Sequence, residues 1–136
     1  EVELAAASDK RIVFLGYTPP EELANVFSVV DALIVPSLCY ENSPTVIYES
    51  LMAGVPVLAS RIGGVGELIR EGETGMLFTP GNEDDLCRVV HQMDARKDEF
   101  AQRREEIRAS VSGYVLEAYA KNLTEILKNV VEKHKK

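Results

Sequence analysis

The densest run of ligand-competent residues is Pro36-Ser37-Leu38-Cys39-Tyr40-Glu41-Asn42-Ser43-Pro44. It follows the apolar run Ala32-Leu33-Ile34-Val35 and leads into a stretch with helical apolar spacing. A helix start offers free backbone amides, which favour negative charge such as a phosphate. Glu41 lies in the same loop, and a carboxylate repels phosphate, so its natural partner is a neutral group such as a sugar hydroxyl. Glu49, eight residues on, falls about two turns into the helix. It could hold a second hydroxylated group, such as a ribose. The combination fits a ligand with a hydroxylated group at each end and a phosphate between them. The plain alternative makes Glu41 a surface loop residue and Glu49 a solvated helix residue, since glutamate is mostly exposed.

The elements that must position these residues follow from periodicity and punctuation. Arg11-Ile12-Val13-Phe14-Leu15-Gly16 is a β-branched and aromatic run closed by glycine, which predicts a buried strand. In Thr18-Pro19-Pro20-Glu21, Thr18 is expected to cap a helix, with Pro19 as its first residue and Glu21 completing a capping box. Ala32 to Val35 is a second strand. Ser43-Pro44 repeats the pattern of capping hydroxyl and N-terminal proline, and Gly54 supplies the left-handed stop after Ala53. Val57-Leu58-Ala59 and Met76-Leu77-Phe78 are further strands, separated by a Gly63-Gly64 turn and a short helix through Glu67, Leu68 and Ile69. Asn82 caps a helix whose first turn carries Glu83, Asp84 and Asp85, the right sign for the helix dipole. Its apolar face is Leu86, Val89, Val90 and Met93, and Phe100, Ile107 and Val111 mark the next helical face. Val115, Tyr119, Leu123, Ile126 and Val130 mark a long amphipathic helix, expected to cap the sheet.

Strand–helix alternation predicts an α/β fold, a Rossmann-like parallel sheet with flanking helices. Ligands of such sheets bind outside the carboxyl ends of the strands. Those ends are Gly16-Tyr17-Thr18, Pro36 to Ser43, Ser60 to Gly64, and Thr79 to Asn82.

Composition narrows the function. The 136 residues suit one domain, and 46% hydrophobic with 27% charged residues reads as globular. The net charge of −7 argues against nucleic acid as a partner, because phosphate contacts need clustered Lys and Arg. The one basic cluster, Lys133-His134-Lys135-Lys136, is expected to fray in solvent. Cys39 and Cys87 cannot frame a disulfide scaffold, and neither sits in a C-x-x-C pair, so no metal site is expected. No transmembrane segment and no leader are expected, and the start at Glu1-Val2-Glu3-Leu4 suggests a cut from something larger. His91 and His134 have no placed nucleophile or carboxylate partner, so no catalytic role is expected of them. Cys39 is expected to fill space and Tyr40 to pack, or to stack on a sugar. Gly63-Gly64 does not form the G-x-G-x-x-G pattern of a nicotinamide dinucleotide site.

Glu41, seven residues, Glu49, then Ser50-Leu51-Met52-Ala53-Gly54-Val55-Pro56-Val57-Leu58-Ala59-Ser60 resembles the signature of retaining GT-B glycosyltransferases of group 1, or family 4. Val13-Phe14-Leu15-Gly16 and Asp31-Ala32-Leu33-Ile34-Val35-Pro36-Ser37 resemble the strands that precede it in that family. Gly63-Gly64 with Glu67, then Gly72, Gly75 and Pro80-Gly81-Asn82, follow in the family's order. The likeness covers about residues 11 to 94.

The resemblance implies the C-terminal, nucleotide-sugar-binding half of a GT-B fold, lacking its first two strands. Residues 1–136 would then be a single truncated domain. Glu49 would bind the ribose of a UDP-, GDP- or ADP-sugar, and Glu41 would contact the sugar. Backbone around Asn42, Ser43, Pro44, Thr45 and Val46 would meet the sugar and distal phosphate, with Gly16, Tyr17 and Thr18 near the base. No cofactor and no metal are implied. The family's catalytic Arg and Lys pair falls on a segment with no match here, and Arg11 does not replace it. No catalytic residue is therefore assigned, and this chain alone is expected to be inactive without the N-terminal domain. The strand edges left by truncation are expected to be covered by a second copy, a companion chain or a changed pairing. Glu41-Asn42-Ser43-Pro44 departs from the family's usual Glu, Gly or Pro, Phe, Gly, which leaves the sugar open. Two rivals share the fold: a non-catalytic interaction module and a sugar-nucleotide epimerase. A cytoplasmic location is expected, with peripheral membrane association of a longer protein left open.

Overall fold

Short apolar runs build the sheet. The structure, a computed structural model, describes residue 6 and residues 9–134. Among the described residues, three strands, β1 (Leu33–Val35), β2 (Val57–Ser60) and β3 (Gly75–Phe78), lie parallel in the order β1-β2-β3. The register sets Leu33 opposite Val57 and Val57 opposite Gly75. Every residue of β2 and β3 is buried, as strands covered on both faces require, while β1 at the edge is only partly buried. A side chain at Gly75 would overlap the Val57 carbonyl oxygen, so glycine keeps β3 within pairing distance.

The helices are α1 (Leu23–Ser28), α2 (Thr45–Met52), α3 (Val65–Leu68), α4 (Glu83–Gln102), α5 (Arg104–Ala109) and α6 (Leu116–Lys133). Single 3-10 turns at Pro20–Glu22 and Ser112–Tyr114 precede α1 and α6. The core joins Ile47 and Leu51 of α2, Val89, Met93 and Phe100 of α4, and Ile107 of α5 to the buried strand residues. Arginines fasten the helix layer. Arg104 donates to the Phe27 carbonyl at 3.0 Å, and Arg108 to the Met52 carbonyl at 3.0 Å. Arg96 donates to the Gly72 carbonyl at 2.9 Å, with its guanidinium 5.0 Å from the Phe100 ring centre.

The Asn82 cap forms as expected: its side chain accepts from the Asp85 amide at 3.0 Å. Asp85 in turn accepts from the Thr79 amide at 2.7 Å and from Arg88 Nε at 2.7 Å. The Thr79 amide first, then Arg88, draw the Asp85 carboxyl down from 3.8 to about 2. A carboxyl lowered by folding stabilises the fold above its unfolded value. It loses that contribution as pH falls through its folded value. Asp85→Asn should therefore destabilise the fold at neutral pH, and the gap to wild type should close between pH 4 and pH 2 (about the span of the two values). Urea denaturation at a series of pH values checks this.

Several expectations are corrected. The first strand does not form. Residues 12–19 carry no strand, and Ile12, Val13, Phe14 and Leu15 are 49%, 72%, 49% and 67% exposed. An isolated parallel strand gains nothing without a neighbour, and among the described residues β1 pairs only with β2. Thr18 is not a cap. Pro19 holds the cap position without a side-chain bond, and the helical turn starts at Pro20. The long helix α6 does not cap the sheet. None of its residues is buried, and it leans on the 3-10 turn that precedes it. The sheet positions it would need are already taken: α2 packs on β1 and β2, and α4 on β3. Glu1 to Leu4 and the Lys135-Lys136 end of the basic tail lie outside the described residues. Cys39 and Cys87 are free thiols, both exposed.

Candidate functional site

β1 ends at Val35, and Pro36 releases the chain into a loop that reaches α2 at Thr45. Cys39 and Tyr40 are exposed at its tip, and Tyr40 is 87% exposed rather than packed. Glu41 is partly buried, with the Cys39 thiol 3.9 Å from its Oε1. The loop is seated from below by the turn between β2 and α3. The Gly64 amide donates to the Glu41 carbonyl at 3.1 Å. A side chain at Gly63 would overlap the Glu41 carbonyl oxygen, and one at Gly64 the Asn42 carbonyl oxygen. Gly63 also has φ +55, where other residues are strained. Nothing in the spacing of Gly63-Gly64 pointed to this contact. The pair reads as a turn until the loop is placed against it.

Ser43 does not cap α2, which corrects its expected role. The cap position belongs to Pro44, and no side chain caps the helix. The Ser43 hydroxyl instead lies 2.7 Å from the Tyr48 hydroxyl. A serine before a helix chooses among local partners, and a phenol one turn later wins here. The Ile47 amide reaches the Pro44 carbonyl at 3.2 Å. The amides of Thr45 and Val46 precede any intrahelical acceptor, so they remain available to a ligand. Tyr48 also meets Tyr114, with ring centres 5.2 Å apart and planes at 59°. Tyr48→Phe should cost at most about 1 kcal/mol, because it removes one exposed hydrogen bond and leaves the Ser43 hydroxyl open to water. Thermal or urea denaturation checks this.

Glu49 is exposed on α2, while Ile47, Ser50 and Leu51 on the other side are buried. Thr45 and Glu49 are four residues apart, which puts both on one outward face, about 6 Å apart along the axis. Among the described residues neither Glu41 nor Glu49 forms an ion pair. Both carboxylates thus keep capacity to accept hydrogen bonds, Glu41 beside the one it takes from the Cys39 thiol. Buried Ser50 donates to the Val55 carbonyl at 3.0 Å and ties the end of α2 to the approach to β2.

One loop and one helix therefore bring together Glu41, Asn42, Ser43, Pro44, Thr45, Val46 and Glu49. Gly16, Tyr17 and Thr18 lie on a separate segment, ahead of the 3-10 turn at Pro20. Gly16 has φ +69 and Tyr17 is 85% exposed. No hydrogen bond among the described residues ties these three to the loop. Ser60, at the carboxyl end of β2, is 1% exposed, and its hydroxyl has no partner among the described residues. No three His, Cys, Asp or Glu side chains among the described residues converge as metal ligands would. No helix among them is long and apolar enough to cross a membrane.

Known proteins share this fold. The profile of a family described as "Glycosyl transferases group 1" matches residues 1–95. A D-inositol 3-phosphate glycosyltransferase of Corynebacterium efficiens is 46% identical over 69 residues, 51% of this chain and 16% of that protein. Sulfoquinovosyl transferase SQD2 of Arabidopsis thaliana is 34% identical over 101 residues, 69% of this chain and 20% of that protein. The chain thus spans a minor part of the curated relatives' length. Sucrose-phosphate synthase from Thermosynechococcus elongatus superposes with a TM-score of 0.77 at 25% identity, over 97% of this chain and 33% of that one. HepE of Anabaena, solved in complex with UDP, has the same fold with a TM-score of 0.80 at 23% identity, over 93% of this chain and 35% of that one. The sheet is accordingly the Rossmann-like sheet of GT-B glycosyltransferases. The profile match takes in all three strands, the loop of Glu41 and the helix of Glu49, and the chain belongs to the group 1 glycosyl transferase family.

Proposed function

We propose that residues 1–136 form a single truncated nucleotide-sugar-binding domain, part of the donor half of a retaining, family 4-like glycosyltransferase that moves a hexose to an acceptor. The observation that carries this reading is the run from Glu41 to Glu49. A carboxylate in a pinned loop, two uncapped helix amides and a second carboxylate follow one another along the chain. Sugar, phosphate and ribose of a nucleotide sugar come in that order. Glu41 accepts hydrogen bonds from sugar hydroxyls, and the amides of Thr45 and Val46 receive the distal phosphate, flanked by Asn42, Ser43 and Pro44. Glu49 accepts from the ribose hydroxyls. Gly16, Tyr17 and Thr18 approach the base once their segment is held by a neighbour.

The base is drawn from UDP, GDP and ADP. Solved neighbours of this fold hold UDP and UDP-glucose, which makes uridine the first to test. The donor is a substrate, and the reading needs no cofactor. Departure of a nucleoside diphosphate needs positive charge beside the phosphates, often the largest catalytic contribution. This reading places that charge on an earlier segment of the same domain, and the acceptor site on an N-terminal domain. The chain by itself then binds donor without transferring sugar. A nucleotide-sugar substrate also suits a cytoplasmic setting.

Ligand-observed NMR with UDP, GDP and ADP, and their glucose and mannose conjugates, tests the reading. One nucleotide series should give saturation-transfer signals that vanish in Glu49→Ala. Signals from none of them, or signals indifferent to Glu49→Ala, would refute it.

A further inference from the structure

We propose that Gly64 is a positioning residue for the sugar-binding carboxylate, an inference that rests on the donor-binding reading above. The turn between β2 and α3 presses against the loop after β1 at two adjacent glycines. The Gly64 amide holds the Glu41 carbonyl at 3.1 Å. Where the Gly64 side chain would begin stands the carbonyl oxygen of Asn42, with Asn42 Oδ1 at 3.4 Å. Glu41 and Asn42 are consecutive, so one turn fixes both of their peptide units. The direction in which the Glu41 carboxylate leaves the loop follows from those units.

Gly64 is the clean place to test this. Its φ of −79° and ψ of −4° suit alanine, so Gly64→Ala adds no backbone strain. The added methyl has one effect, to push the Asn42 carbonyl and the loop away. Gly63 would confound the test through its φ of +55. Gly66, two residues on, supplies the control: a side chain there meets nothing within 4 Å.

Isothermal titration is run with the pair that wild type binds: UDP and UDP-glucose, GDP and GDP-mannose, or ADP and ADP-glucose. Gly64→Ala should weaken the sugar nucleotide roughly tenfold while leaving the bare nucleotide, held through Glu49 and the amides of Thr45 and Val46, within about twofold. Gly66→Ala should change neither. In a Glu41→Ala background, Gly64→Ala should add nothing, because it acts through the same carboxylate. Equal losses for both ligands, or losses that add to Glu41→Ala, would overturn the inference while the donor reading stands. No binding of any pair by wild type would overturn the donor reading and this inference with it. A wild-type measurement covers the case of a variant that does not fold. The Gly64 amide resonance should shift on adding the sugar nucleotide and stay in place with the nucleotide alone. A Gly64 amide that responds equally to both ligands would count against the proposal.

Discussion

Glu49→Ala is expected to weaken nucleotide binding by about 10- to 100-fold while changing stability by no more than about 0.5 kcal/mol. Two physical facts separate these magnitudes. Glu49 is exposed, forms no ion pair among the described residues, and sits opposite the buried Ile47, Ser50 and Leu51. Its truncation removes nothing from the core and leaves no buried group unsatisfied. A ribose diol, by contrast, offers two hydroxyl donors to one carboxylate. Hydrogen bonds to a charged group contribute about 1.5–3 kcal/mol each, reduced at an open site by competing water. Glu49→Gln keeps the acceptor oxygen and loses the charge, so its loss should be smaller. Titration calorimetry and urea denaturation on the same samples read both quantities. A variant that binds as wild type does would place the nucleotide elsewhere on the chain.

Gly54→Ala carries the largest expected effect on stability, a loss of about 2–5 kcal/mol. Gly54 ends α2 with φ +76, and left-handed backbone costs a residue with a side chain about 1–2 kcal/mol. The end is a complete Schellman motif. The Gly54 amide bonds the Leu51 carbonyl at 2.9 Å, and the Val55 amide bonds the Ser50 carbonyl at 2.9 Å. A side chain at Gly54 would also stand 2.7 Å from the Arg104 carbonyl oxygen and 3.0 Å from its Cβ. Overpacking of that kind adds about 1–3 kcal/mol. The contact has little room to relax, because Arg104 is tied to the Phe27 carbonyl and Arg108 to the Met52 carbonyl. Strain at Gly54 would therefore reach both ends of α5 and the helix that presents Glu49. Urea denaturation measures the loss. A variant within 0.5 kcal/mol of wild type (an ordinary surface substitution changes about that much) would contradict this account of the helix end.

Local chemistry was readable where one residue decides the outcome. Gly54 stops a helix, Asn82 caps one, and Val57-Leu58-Ala59 and Met76-Leu77-Phe78 have no stable place except a buried strand. The run from Glu41 to Glu49 was visible for the same reason, as a loop entering a helix. Features that depend on distant partners were not visible. Ile12 to Leu15 has the composition of a strand, yet composition cannot supply the neighbour a parallel strand pairs with. The apolar stripe of α6 announces a helix but not what it covers, and here it stays exposed. Ser43 has the type and position of a cap, and only the fold reveals Tyr48 as the competing partner. The seating of Glu41 on Gly63-Gly64 joins residues more than 20 apart (no spacing rule reaches that far).

Backbone amide NMR of the isotope-labelled chain, titrated with UDP, GDP and ADP, tests donor binding most directly. The account predicts that one nucleotide shifts the amides of Thr45, Val46 and Glu49 together, with Glu41 and Asn42 joining when the sugar is attached. Shifts clustered instead in the groove lined by Met52, Arg108, Val111 and Val115, or no shifts at saturating nucleotide, would contradict it.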